Sequence, residues 1–215
     1  MMTQSASGIQ AIFFDFGDVL ATFNHMKSCE ALAAFSTKSP EDIYAILFDS
    51  KLEELHYNRG EYADEEWYRL CTNLLELQNC PYEVFAEKWG AIFGSNPDMD
   101  RLIAELRPEI RKFVLSNTNG LHWTWAKKNM PILSTYFPNH QQAILSHEAK
   151  SRKPEREIYE CALRLAAVRP EQAIFIDDKI ENVRAFEELG VHGIVYSFHT
   201  PITALREELS RLVCL

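Results

Sequence analysis

Four groups of residues, far apart in the chain, are of types that do chemistry together. Asp15 follows the apolar run Ile12-Phe13-Phe14, and Ser116-Asn117 follows Phe113-Val114-Leu115. Lys153 precedes Pro154, and Asp177-Asp178 follows Ala173-Ile174-Phe175-Ile176. In an open parallel sheet, ligands bind outside the carboxyl ends of the strands, which places these groups in one crevice. A carboxylate there, facing an acidic pair, suits Mg2+. That hard ion takes oxygen ligands and keeps several waters, so one or two protein carboxylates and a substrate phosphate are enough to hold it. The ion also screens an aspartate from the phosphate dianion it attacks. An aspartate nucleophile forms an acyl-phosphate that water then hydrolyses, splitting one hard step into two.

The elements that must position these residues appear as short apolar blocks separated by helical patterns. Ala11–Phe14, 113–115, Ala143–Leu145, 173–176 and 193–196 read as strands buried on both faces, as in a parallel sheet. Residues 154–167 carry Ile158, Ala162, Leu163 and Leu165 near helical spacing; 181–189 read as a helix capped by Gly190, and 203–213 as a closing helix. The alternation predicts an α/β fold with a Rossmann-like, doubly wound parallel sheet. Between the first strand and Phe113 there is no strand signal. There 28–35, a start at Ser39-Pro40-Glu41-Asp42, 64–77 and 81–93 all read as helical. The expected organisation is a catalytic core built from 1–22 and 98–215, with an all-helical cap inserted over 23–97. Asn24-His25 and Gly94-Ser95-Asn96-Pro97 supply turn chemistry at the joints.

Bulk composition narrows the class. The chain has 215 residues, 47% of them hydrophobic, and a formal net charge of -9, which suits a globular protein and gives no footprint for nucleic acid. Five cysteines are scattered with no close pair, so reduced thiols are expected rather than a disulfide or zinc framework. No apolar run approaches the ~20 residues of a membrane span. The polar start and the short run from Ile9 to Phe14, which contains Gln10, do not make a signal peptide. A cytoplasmic protein, monomer or homodimer, is expected.

Taken in order, the motifs resemble those of the haloacid dehalogenase superfamily. The four are Asp15-Phe16-Gly17-Asp18-Val19-Leu20, Leu115-Ser116-Asn117-Thr118, Lys153-Pro154, and Phe175-Ile176-Asp177-Asp178 with Asn182. The resemblance spans nearly the whole chain, and the helical insert resembles the cap of the dehalogenase-like branch. Within it, Asp-x-Gly, Leu-Ser-Asn-Thr-Asn, Arg-Lys-Pro-Glu and Asp-Asp-x-x-x-Asn are most similar to bacterial glucose-1-phosphate phosphatases. The resemblance implies a Mg2+-dependent phosphatase acting on a small phosphorylated metabolite. Asp15 would be nucleophile and metal ligand, the Gly17 carbonyl a second ligand, and Asp178 and Asp177 the acidic pair that holds the ion. Ser116 and the Asn117 amide would hold phosphate oxygens, Lys153 would neutralise the phosphoryl group in flight, and Asn182 would orient the acidic pair.

One departure from the family pattern matters. Most phosphatases of the superfamily carry a second aspartate two residues after the nucleophile, which protonates the leaving oxygen; here that position is Gly17. Asp18 is one place further along, and adjacent residues of an extended segment point to opposite sides. Three readings follow: a leaving group that needs little protonation, such as an anomeric sugar oxygen, an acid donated by the cap, or slow turnover. Two rivals stand beside the phosphatase: a dehalogenase, which needs no metal, and a phosphate-binding regulatory protein without turnover. His147 and His122 are read as structural or exposed, and Trp123, Trp125 and Tyr136 as packing. Tyr57-Asn58-Arg59-Gly60-Glu61 is either a connector or a loop that lowers Asn58 or Arg59 onto the substrate.

Overall fold

The computed structural model of the protein describes residues 8–212 and 214–215. Residues 1–7, expected as the polar start of the core, and Val213, the expected end of the closing helix, lie outside the described residues. The chain opens with β1 (Ala11–Phe14) and a short β2 (Ala21–Phe23). Then come α1 (Met26–Ala33), α2 (Pro40–Tyr44) running into a wide turn at Ala45–Asp49, and α3 (Leu52–Leu55). A tight turn at Tyr57–Arg59 leads to α4 (Asp64–Leu74) and α5 (Tyr82–Gly90). β3 (Phe93–Ser95), α6 (Pro97–Glu105), β4 (Arg111–Ser116), α7 (Gly120–Asn129) and α8 (Pro131–Tyr136) follow. The chain closes with β5 (Ala143–Leu145), α9 (Ser146–Ala149), α10 (Arg156–Ala166), β6 (Ala173–Asp177), α11 (Ile180–Glu187), β7 (His192–Val195) and α12 (Ile202–Arg211).

Five strands form one parallel sheet in the order β5-β4-β1-β6-β7. The chain moves outward from β1 to β5, then returns to lay β6 on the other flank of β1. Alternate strand residues serve two cores. Ile12, Phe14, Val114, Ile174 and Ile176 pack with side chains of α6, α7, α8 and α12. Ala11, Phe13, Phe113, Leu115 and Phe175 pack with Ile158 and Tyr159 of α10 and with Val183 and Phe186 of α11. Helices therefore cover both faces, which is why the strands read as unbroken apolar runs. The doubly wound α/β sheet is the fold expected.

The stretch between β1 and β4 is not purely helical, and this corrects the expectation. β2 and β3 pair antiparallel, Ala21 opposite Ser95 and Phe23 opposite Phe93. Three-residue strands carry too little alternation to announce themselves in a sequence. The helices between them gather a third apolar core around Cys29, Leu32, Leu47, Tyr57, Trp67 and Trp89, joined by Leu121 of α7. Ser39 caps α2 as expected, its Oγ accepting the Asp42 N–H at 3.1 Å. Asn96 and Asn119 cap α6 and α7 in the same way, through the N–H groups of Met99 and His122. α10 begins only at Arg156, so Pro154 stands before the helix and not in its first turn. The cysteines are free thiols. Among the described residues no helix is long and apolar enough to cross a membrane.

Candidate active site

The parallel sheet delivers the chemistry to one edge. Asp15 is the residue just past β1, its N–H donating to the Ile176 carbonyl at 2.9 Å and its Oδ1 accepting the Phe16 N–H at 2.7 Å. Ser116 ends β4 and Asp177 ends β6, the two neighbours of β1. Lys153 arrives from the loop between α9 and α10, and the Asn117 side chain holds its backbone at two points. Oδ1 accepts the Lys153 N–H at 2.8 Å, and Nδ2 donates to its carbonyl at 2.9 Å. This clasp, rather than a helix start, positions the lysine. Its Nζ lies 2.8 Å from Asp15 Oδ1 and 2.6 Å from Asp177 Oδ2. Asp177 Oδ1 accepts from the Lys179 N–H and from Asn182 Nδ2, both at 2.9 Å, so Asn182 orients the acidic pair through Asp177.

Oxygen atoms of Asp15, Asp177 and Asp178 lie within 4.8 Å of one another. Burial pushes the Asp15 carboxyl up to about 7; Lys153 draws it down and the charge of Asp177 adds to the rise. Asp178 is raised as well, by burial first and then by Asp177. Burial also opposes the charge of Lys153, but Asp15 and Asp177 outweigh it and hold the ammonium above its usual range. Converging carboxylates that repel one another, all offering oxygen, fit a hard divalent cation.

Gly17 sits beside this cluster, and a Cβ there would meet the Phe23 ring at 2.9 Å. The aromatic ring thus fills the space in which a side chain at position 17 would start. Asp18 has left-handed backbone geometry, φ 56°. Burial raises its carboxyl, while His199 and Lys179 pull it down.

The carboxylates open on a small pocket lined by Asp15, Gly17, Ser116, Asn117, Lys153 and Asp178. It shares Gly17, Phe23, Ser116, Asn117 and Lys179 with a larger chamber of about 350 Å³ that reaches under α3. Tyr44, Phe48, Ile92 and Phe93 give this chamber an apolar wall, while Glu53, Asn58, His122 and Arg152 give it a polar one. Asn119, wholly buried, is the hub behind the polar wall. Its Nδ2 lies 2.9 Å from Glu53 Oε1, 2.9 Å from Asn58 Oδ1 and 3.0 Å from His122 Nδ1. Of the loop read as a connector or specificity loop, Asn58 lines the chamber and Arg59 instead pairs with Glu155. His147 turns to the Thr118 carbonyl at 3.0 Å, whereas His122 lines the chamber. Trp123, Trp125 and Tyr136 pack in or against the first core.

Sequence reasoning gave no individual role to Glu53, Asn119, Arg152 or Lys179, although Asn119 and Arg152 stand in the motifs Leu-Ser-Asn-Thr-Asn and Arg-Lys-Pro-Glu and Asn119 also precedes Gly120 as an N-cap residue. Glu53 is 4% exposed, and burial pushes its carboxyl up to about 7 from an ordinary 4.5. A folded-state value above the unfolded one means that stability is fully present below about 4.5 and is lost as pH rises toward 7. Relative to Glu53→Gln, the wild type is expected to lose on the order of 3 kcal/mol across that window, as read by urea unfolding. A stability difference that is flat with pH would contradict the assignment.

Comparison with known proteins decides the family. A family model described as haloacid dehalogenase-like hydrolase matches residues 9–190. The chain belongs to the haloacid dehalogenase-like hydrolases. D-ribitol-5-phosphate phosphatase of Bacteroides thetaiotaomicron is 26% identical to this hydrolase over 197 residues, covering 85% of this chain and 89% of that protein. A sesquiterpene phosphatase of Aspergillus oryzae is 22% identical over 194 residues, covering 86% and 88%. Among solved structures, a haloacid dehalogenase family enzyme of Bacteroides thetaiotaomicron in complex with magnesium and inorganic phosphate superposes with a TM-score of 0.73. It is 23% identical and covers 92% of this chain and 99% of its own.

Proposed function

We propose that this hydrolase is a Mg2+-dependent phosphatase of small phosphorylated metabolites, with a sugar phosphate such as glucose 1-phosphate as the fitting substrate type. The observation that carries the reading is the convergence of Asp15, Asp177 and Asp178 beside Lys153, at a small pocket that shares its lining with a chamber large enough for one small molecule. The phosphatase relatives and the magnesium-bound structural neighbour support it. The acidic pair argues against halide displacement, which needs no metal.

Asp15, Asp177, Asp178 and the Gly17 carbonyl would hold Mg2+. When bound, the ion supplies positive charge that screens the phosphate from the carboxylates. Asp15 attacks phosphorus, the ester P–O bond breaks, and an aspartyl-phosphate forms while the alkoxide departs and takes a proton from solvent water. Water then cleaves the acyl-phosphate, returning the Asp15 carboxylate and inorganic phosphate. Lys153, Ser116 and the Asn117 amide hold the phosphoryl oxygens and offset the charge on them. With Gly17 where most relatives carry the acid, an anomeric sugar oxygen is the leaving group that asks least of the enzyme. Residues 23–97 act as a cap over a core formed by 1–22 and 98–215, excluding water on closure.

A screen of phosphorylated metabolites with and without Mg2+ tests the reading; metal-independent turnover would sink it. Binding gives a second readout. Mg2+ at 100 times its dissociation constant should stabilise the stripped protein by about 2.7 kcal/mol in thermal unfolding, and Asp178→Asn should abolish that gain.

A further inference from the structure

The loop that carries Lys153 runs from α9, which ends at Ala149, to α10, which begins at Arg156, so no helix or strand fixes its shape. Side chains do so instead. Asn117 clasps Lys153 from the floor. Glu155 holds the residues just before the lysine. Its Oε2 accepts the Ser151 hydroxyl and the Arg152 N–H, both at 3.2 Å, and its own N–H closes the turn on the Arg152 carbonyl at 2.7 Å. The other carboxylate oxygen, Oε1, accepts from Arg59 Nη2, which comes from the turn after α3, 96 positions earlier. One carboxylate therefore has one oxygen on the lysine loop and the other on the segment above it.

The same two segments meet elsewhere. Arg152 Nη2 donates to Glu54 at 2.6 Å, the Ser146 hydroxyl donates to the Asn58 carbonyl at 2.5 Å, and Lys150 Nζ donates to the Gly60 carbonyl. Gly60 has φ 67°, and a Cβ there would collide with the His147 carbonyl oxygen, so the turn approaches α9 as closely as a glycine backbone allows.

Arg59 and Glu155 line neither the chamber nor the small pocket, so their route to the chemistry is through the loop. As a third-exposed ion pair, the two contribute at most about 1 kcal/mol to stability. Their effect on placement is larger. The Lys153 ammonium stands 2.8 Å from Asp15 and 2.6 Å from Asp177, and misplacing such a group by ~1 Å costs about 100-fold in rate.

We propose that Arg59 is a positioning residue for Lys153: seated on Glu155, it draws the 151–155 turn into the shape that holds the ammonium at the phosphoryl site, so the lysine is fully placed only while the cap is docked. The assignment rests on the phosphatase reading above and adds to it a coupling between the cap and the lysine loop.

Two variants test it from opposite sides. Arg59→Met leaves Glu155 without its partner from the cap. Glu155→Gln removes the charge from the core side, while its amide oxygen can still accept the Arg152 N–H. Each should lower kcat at least about tenfold with KM nearly constant, and by the same factor on glucose 1-phosphate and on acetyl phosphate, whose leaving group is only a two-carbon acid. The double variant should be no worse than either single one. Arg59→Lys, which keeps a cation within reach of Glu155, should recover part of the loss. Hydrogen exchange supplies a readout apart from turnover. The Arg152 and Lys153 amides, bonded to the Glu155 and Asn117 side chains, should exchange at least about tenfold faster in Arg59→Met, with the amides of β4 and β6 unchanged. A loss confined to glucose 1-phosphate or to KM overturns the assignment, because Arg59 would then serve substrate binding. Unchanged exchange at Arg152 and Lys153 overturns it too, and neither result touches the phosphatase reading. A wild type that turns over neither ester overturns both.

Discussion

Asp15→Asn is expected to lower kcat on every phosphate ester by at least about four orders of magnitude. The substitution removes the oxygen that would attack phosphorus but keeps the shape of the strand end. The Asp15 N–H bond to the Ile176 carbonyl is unaffected, and the amide oxygen can still accept the Phe16 N–H. Lys153 retains Asp177 at 2.6 Å, so its ammonium is not left alone. The variant should therefore fold, and should show no acid-stable phosphoprotein after quenching with a labelled ester, where the wild type does. Activity above about a hundredth of wild type would show that another group attacks phosphorus.

Lys153→Met is expected to have the largest effect on stability. The side chain is 1% exposed and its ammonium bridges Asp15 and Asp177. Removing one partner from a buried ion pair costs about 3–5 kcal/mol, because the remaining charge stays buried without compensation. Here two carboxylates would be left facing each other, and that of Asp15, already raised by burial, would be driven further up. Raised folded-state values lower stability as pH rises, so the deficit should be greatest at neutral pH and should shrink in acid, where both carboxyls are protonated. Mg2+ should recover part of it. Denaturant unfolding at pH 5 and pH 8, with and without the ion, measures all of this. A deficit independent of pH would mean that Lys153 matters for packing alone.

The sheet and its catalytic edge were legible because both are written in long-lived local signals. Blocks such as Ala11–Phe14 and Ala143–Leu145 match their strands to the residue, since strands buried on both faces need apolar side chains throughout. Asp15, Ser116 and Asp177 each follow or end such a block, and parallel pairing brings them together. The paired strands β2 and β3 were not legible, because three residues cannot display a period. Nor was α7, whose Leu-His-Trp-Thr-Trp run has little amphipathic contrast, although Asn119 offered a cap. Of the polar wall of the chamber only Asn58 was legible, through its glycine-bearing loop. Glu53, Asn119 and His122 come from separate segments, and only their convergence with Asn58 gives them meaning. Asn117 was expected at the phosphate through its amide; its side chain also clasps Lys153 across 36 positions of sequence.

The antiparallel pair of β2 and β3 has a consequence for descent. Because Phe23 and Phe93 are bonded neighbours, the chain leaves the sheet and rejoins it at adjacent points. Whatever is strung between them pays closure entropy that grows only logarithmically, about 0.6 kcal/mol for each doubling of length. The ribbon is thus a splice point: residues 24–92 can be lengthened, trimmed or exchanged over generations while Asp15, Lys153 and Asp177 stay where the sheet puts them. The carboxylate cluster lies outside that stretch, whereas the chamber draws its lining from both sides of it. Asn119 is the stitch between them, fixed to the floor by its own strand end yet bonded to Glu53 and Asn58 overhead. A lineage that replaces the roof must therefore either keep a partner for that amide or change it too.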